Sequence, residues 1–113
     1  MRQFKTGTVE GTGSAINVSL GFKPDHVKCV NIDDAGSLAP MMEWINGMGA
    51  AAGIKSLSIA DDGSTSNASH ALVSSNGISQ YDGSDSAAPG FTIGADSDLN
   101  ASGETIVYIA TRE

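Results

Sequence analysis

The sequence predicts an all-β, single-domain protein, an antiparallel β-sandwich or partly closed barrel of about eight or nine short strands. Three observations support this class. The chain has 113 residues, the length of one domain. Its 14 glycines and 3 prolines divide it into short apolar segments separated by turn residues, as in sandwiches and barrels. Only 17% of its residues are charged, which argues against a helical bundle rich in Glu, Lys and Arg.

The N-terminal residues 1–14 are predicted to form an arm or an edge strand, and residues 15–113 the β-sandwich domain. Within the first part, Phe4–Glu10 is polar, threonine-rich and interrupted by glycine. The second part opens with Ala15–Leu20, in which the isoleucine, valine and leucine alternate with polar residues. Such alternation is typical of a strand with one buried face.

Two segments carry apolar residues on both faces. They are His26–Ile32 and the last strand, Glu104–Arg112. Apolar side chains on both faces suggest a central strand, so we expect both segments inside the sheet.

The segment Pro40–Asn46 is ambiguous. Its apolar residues fit one face of a helix or, through Met42 and Trp44, one face of a strand. Because the run is short and ends at glycines, the strand is favoured. Residues 47–53 are small, apart from Met48, and predict a loop.

The remaining strands are short and bounded by turn residues. We expect them at residues 54–60, 68–74, 78–81 and 90–94. The dipeptide Asn76-Gly77 predicts a hairpin turn between the second and third of these.

The charge excludes two classes of partner. Six Lys and Arg residues against 13 Asp and Glu residues give a net charge of −7, which disfavours nucleic acid and anionic membranes. The chain shows neither a signal peptide nor an apolar stretch of the roughly 20 residues that a transmembrane helix needs. We therefore expect a soluble protein made in the cytoplasm.

Asp96, Asp98 and Asn100 form a weak candidate for a cation site, because they match positions one, three and five of a calcium loop. Ala101 replaces the glycine of that loop, and Val107 replaces its bidentate glutamate. Asp and Asn also cap backbone N–H groups in ordinary turns. We predict no metal and no cofactor.

Nothing in the sequence points to catalysis. The only thiol is Cys29, and the two histidines are His26 and His70. No Gly-x-Ser-x-Gly nucleophile motif is present. The acidic pairs lie in predicted turns, where solvated carboxylates are common. The prediction is a protein without enzymatic activity.

Three segments carry a family resemblance. They are GFKPDHVKCVN at residues 21–31, GFTIG at 90–94 and DLNASGETIVYIATR at 98–112. Together they resemble small virion structural proteins of tailed bacteriophages. The resemblance covers roughly residues 15–112, with a variable middle.

The resemblance implies a capsid decoration (cement) protein on the outer capsid surface of the virion. Its partners would be the major capsid protein and other copies of itself, as a homotrimer. The alternative is a module of a tail fibre or baseplate that binds a host receptor or glycan, with Trp44 or Tyr81 as an exposed aromatic.

Five residues are candidates for the interface. They are Phe4, Met41, Met42, Trp44 and Met48. Met and Trp are enriched at protein interfaces. Packing in the core explains them equally well.

Overall fold

The computed structural model of the protein describes residues 3–34, 39–61 and 66–113. Side chains are described for these residues except 57–61 and 66–69. The described part of the chain is all-β, as predicted, and contains no helix. Its eight strands are β1 (Gln3–Glu10), β2 (Ile16–Ser19), β3 (His26–Asn31), β4 (Met41–Ile45), β5 (Ala52–Asp61), β6 (Ser66–Tyr81), β7 (Gly90–Ile93) and β8 (Thr105–Arg112).

The strands form one antiparallel sheet in the order β1-β8-β3-β4-β5-β6-β7-β2. This sheet curls into a half-barrel, which confirms the predicted fold class. The two strands predicted to be interior are interior: β3 pairs with β8 and β4, and β8 pairs with β1 and β3. The ambiguous segment forms β4, since Met42 and Trp44 both point into the core.

The predicted hairpin turn at Asn76-Gly77 is wrong, because both residues lie within the continuous strand β6. The first half of β6 pairs with β5 and the second half with β7, and the register shifts between Ala52 and Gly53. Asn76 adopts a left-handed conformation with φ of 58°. A Cβ at residue 77 would overlap the Ala52 carbonyl, so the backbone can approach there only as glycine. The dipeptide makes a bulged corner between two parts of the sheet.

This corner brings the two ends of the sheet face to face. Phe91 of β7 packs edge-on against Tyr108 of β8, with ring centroids 5.3 Å apart. The core lies between the two halves and consists of Val18, Leu20, Phe22, Val27, Cys29, Met42, Trp44, Ala52, Ile78, Phe91, Ile93, Leu99, Ile106, Tyr108 and Ala110. The sheet encloses this core on its concave side, and among the described residues no further layer packs on its convex side.

Candidate functional site

The turn between β7 and β8 is the most polar part of the interior. Asp96 Oδ1 accepts hydrogen bonds from the backbone N–H groups of Asp98 and Leu99, each at 3.0 Å. This is the capping arrangement of an Asx turn. Leu99, which is 1% exposed, anchors the turn in the core.

The positively charged side chain of Lys55 of β5 binds the two carboxylates of this turn. Its Nζ lies 2.8 Å from Asp96 Oδ2 and 2.7 Å from Asp98 Oδ2. Asn100 does not join them, because its side-chain oxygen accepts the Thr12 N–H at 2.9 Å. The three candidate cation ligands are thus committed to protein donors. In the described part of the chain, no group of three His, Cys, Asp or Glu residues is arranged to hold a metal ion.

The contact between Lys55 and Asp96 shifts the pKa of each of these two residues. Burial alone would raise the pKa of Asp96, but hydrogen bonds from Lys55 and two backbone N–H groups outweigh it and lower that pKa. Burial alone would lower the pKa of Lys55, but the hydrogen bonds and charges of Asp96 and Asp98 raise it. The charged forms of Lys55 and Asp96 therefore stabilise each other in the folded state.

Asn100 joins the β1–β2 connection to this turn through hydrogen bonds of its side chain. Its Nδ2 donates to the carbonyl oxygens of Ser14 at 2.6 Å and Gly94 at 2.9 Å, and its side chain is fully buried. Asn31, also fully buried, donates to Glu104 Oε1 at 2.8 Å and accepts the Asp33 N–H at 2.9 Å. Sequence reasoning missed Lys55 and Asn31, because both stand in strands far from the turn in sequence. These contacts indicate that the polar cluster stabilises the fold.

The convex side of β1, β8, β3, β4 and β5, with Leu72 and His70 of β6 at its margin, is called here the outer face. Cross-strand pairing places its residues in three rows. The first row is Phe4, Thr111, His26 and Ile45. The middle row is Thr6, Ile109, Lys28, Glu43, Ile54 and Leu72. The third row is Thr8, Val107, Val30, Met41, Ser56 and His70.

Five large apolar side chains are exposed in the described part of the chain. Phe4 is 67% exposed, Leu72 66%, Ile45 49% and Ile109 38%, and all four lie on the outer face. Ile32, 61% exposed, follows the inward-facing Asn31 and continues the outward alternation of β3. Along the rows these side chains are separated by Thr111, His26, Lys28 and Glu43, so the outer face is a mixed surface with several large apolar groups, which makes it a candidate interaction site.

The candidate interface residues separate into two groups. Phe4 and Met41 lie on the outer face. Met42 and Trp44 are 1% and 2% exposed, so they belong to the core and are not open to a partner. Met48 packs partly buried against that core. Alternation along β4 explains the division, since Met42 and Trp44 share the inward parity while Met41 points outward.

Trp44 also fails to provide a stacking platform for a glycan. Its Nε1 donates to the Gly49 carbonyl at 2.8 Å, and only 2% of the residue is exposed. It lies at the base of an open depression of about 330 Å³, lined by Trp44, Asn46, Gly49, Ala50, Ser79, Gln80 and Asp82. Tyr81 beside it is half-buried.

The histidines lie on the outer face. His26 Nε2 is 2.6 Å from Glu43 Oε2. His70 Nδ1 is 2.9 Å from Ser56 Oγ, and the two residues are direct cross-strand neighbours on β5 and β6. That seryl–histidine pair stands on an exposed sheet surface, unlike the enclosed sites in which such pairs act as nucleophiles.

Cys29 is fully buried, and burial raises the pKa of its thiol from 9.0 to about 12. At pH 8 this leaves roughly 1,000-fold less thiolate than an ordinary cysteine would have. We expect iodoacetamide to modify the folded protein at least about a hundredfold more slowly than the urea-unfolded protein. Ser102→Cys, on an exposed turn, is the control and should react at the rate of a free thiol. Native labelling within tenfold of this control would contradict the burial of Cys29.

The chain matches no protein-family model, no curated protein and no solved structure. No helix in the described ranges is long and apolar enough to cross a membrane.

Proposed function

We propose that this chain is a non-enzymatic structural protein of a phage virion, a capsid decoration protein that binds the outer capsid surface as a homo-oligomer. Its work would be to bridge neighbouring capsid subunits. Binding the assembled shell and not free subunits stabilises the shell by linkage. The family resemblance of residues 21–31, 90–94 and 98–112 suggests the virion.

The observation that carries the proposal is the uncovered outer face. Four large apolar side chains, Phe4, Ile45, Leu72 and Ile109, share one exposed surface. Its interior polar groups are satisfied: no buried side-chain nitrogen or oxygen among the described residues lacks a hydrogen-bond partner. A satisfied interior with an apolar exterior face favours association over chemistry.

Charge supports an external position. The net charge of −7 would repel packaged nucleic acid, and it favours solubility of a protein made in many copies. The ionisable groups of the polar turn bind each other: Lys55 of β5 pairs with Asp96 and Asp98 and so joins β5 to the β7–β8 turn.

The experiment is co-sedimentation with shells that lack the protein. We expect saturable binding at a copy number close to that of the major capsid protein, and bound shells that survive heat or low salt better than bare shells. An acidic protein of similar size serves as the control for trapping in the pellet. Absence of saturable binding would overturn the decoration role, and binding to isolated tails would support the tail-fibre alternative.

A further inference from the structure

We propose that a second copy of this chain covers the outer face, related to the first by a twofold axis that runs along the strands between β3 and β4. The inference rests on the proposed function, since it names the self-interface of that homo-oligomer. It assigns a dimer in place of the homotrimer that the resemblance implies.

The middle row of the outer face is self-complementary about this axis. Lys28 and Glu43 are direct neighbours at its centre, and Ile109 and Ile54 flank them at equal distances. A twofold rotation about the line between β3 and β4 exchanges the two sides of the row. Lys28 then faces Glu43 of the second copy, and Ile109 faces its Ile54. Such an isologous contact is closed, since each pair occurs twice.

The third row obeys the same symmetry. Val30 and Met41 are neighbours across the β3–β4 pair, so each faces the other in the second copy. Val107, beside Val30 on the outer side, faces Ser56 of the second copy. The contact therefore places two symmetry-related pairs of opposite charges at its centre, with apolar side chains beside them.

The size of the face sets the strength of the contact. Five strands about 4.8 Å apart, with three rows about 6.7 Å apart, cover about 24 Å by about 20 Å when laid flat. A flat contact of two copies would bury about 1,000 Å², and the convexity of the face lowers this further below the roughly 1,200–2,000 Å² of stable interfaces, so we expect a weak dimer that forms at high protein concentration. Leu72 at the margin adds to this area.

The charge of the face permits contact between two acidic chains. Apart from the histidines His26 and His70, the three rows contain Lys28 and Glu43 and no other ionisable side chain. The net charge of −7 is thus carried mainly elsewhere. Meeting through the outer face keeps the acidic surfaces of the two copies apart.

The first test is the mass in solution by sedimentation equilibrium, without any capsid. We expect twice 11.5 kDa for the wild-type chain. Ile109→Asp places a carboxylate in the middle row, opposite Ile54 of the second copy, and should weaken association at least tenfold. Phe4→Asp, at a 67% exposed position of the edge strand, repeats the test with little risk to folding. Ala88→Asp adds the same charge to an exposed loop outside the outer face and should leave the mass unchanged.

A charge exchange tests the axis. Lys28→Glu makes the central pair doubly negative and Glu43→Lys makes it doubly positive, so each variant alone should be monomeric. Mixing the two should restore a mass of two chains, since every inter-chain contact then joins opposite charges. A mixture that stays monomeric would overturn the proposed pairing.

Failure of this inference differs from failure of the proposed function. A wild-type monomer, or a trimer unaffected by Ile109→Asp, would overturn the twofold interface even if the protein decorates shells. A dimer that obeys the charge exchange but binds no shell would support the interface and overturn the decoration role.

Discussion

Replacement of Asn100 by alanine should destabilise the fold by about 2 kcal/mol. Asn100 is fully buried, and its side chain holds the Thr12 N–H and the carbonyl oxygens of Ser14 and Gly94. The substitution leaves the Thr12 N–H and the Gly94 carbonyl without their partner, whereas the Ser14 carbonyl still accepts the Thr12 hydroxyl at 2.9 Å. An unsatisfied buried group costs about 1–3 kcal/mol, and Thr12 is exposed, so water replaces part of its lost hydrogen bond. A domain of this size is stable by only about 5–15 kcal/mol, so the loss is large.

Urea denaturation measures this effect. Asn46→Ala is the matched control, because its exposed amide makes a single 3.4 Å contact with Asp25. We expect the control to change the free energy of unfolding by less than about 0.5 kcal/mol. If Asn100→Ala stays within 1 kcal/mol of the control, Asn100 is not the anchor of the β1–β2 connection.

Lys55→Met should cost about 3 kcal/mol, because it leaves Asp96 and Asp98 without their shared cation. The Lys55 side chain is 18% exposed and that of Asp96 9%, so water replaces the ammonium poorly; Asp98, at 40%, contributes less. Lys23→Met is the control, since its ion pair with Asp82 is exposed, at 42% and 86%. Exposed pairs contribute about 0–1 kcal/mol. Equal losses in the two variants would contradict the structural importance of Lys55.

The difference in the free energy of unfolding between wild type and Lys55→Met depends on pH, because the pKa values of Asp96 and Lys55 are shifted in the folded state. The pKa of Asp96 is lowered from 3.8, so the stability it provides is present above that pH and is lost as pH falls below it. The pKa of Lys55 is raised from 10.5, so the stability it provides is present below that pH and is lost as pH rises through its folded-state pKa. The gap between wild type and Lys55→Met should therefore be widest near neutral pH and narrow at both extremes. A gap that is constant from pH 3 to pH 11 would contradict the ion-pair account.

Strand content was predictable because alternation reports directly which side chains are buried. In β4, Met42 and Trp44 share one parity, and both lie in the core. The corner at Asn76-Gly77 was not predictable, since a left-handed asparagine followed by glycine suits both a hairpin turn and this bulged corner. Only the pairing of β6 with both β5 and β7 distinguishes the bulged corner from a hairpin turn.

The candidate site was predictable only in part. The sequence marks Asp96, Asp98 and Asn100 as a group, but it gives no sign that Lys55 joins the carboxylates from 41 and 43 residues away. It also shows apolar residues on both faces of β3 and β8 without saying whether a second layer covers them. In the structure the core covers one face, whereas on the other Val30 and Val107 are half-buried and Ile109 is exposed.

The division between the two faces has a chemical consequence. The thiol of Cys29 lies on the core side of β3, whereas Ile109 lies on the outer face of the neighbouring strand. A cysteine introduced on the outer face would thus be the reactive thiol of the folded chain. This makes coverage of the outer face directly measurable.

The most direct test of the account is the labelling rate of Ile109→Cys as a function of protein concentration. Ser102→Cys, exposed on the turn before β8, is measured in parallel as the uncovered reference. If a second copy covers the outer face, labelling at position 109 slows at least about tenfold as the protein associates, while labelling at position 102 stays constant. Labelling rates at positions 109 and 102 that are equal and stay unchanged from nanomolar to high micromolar protein would contradict coverage of the outer face by a second copy.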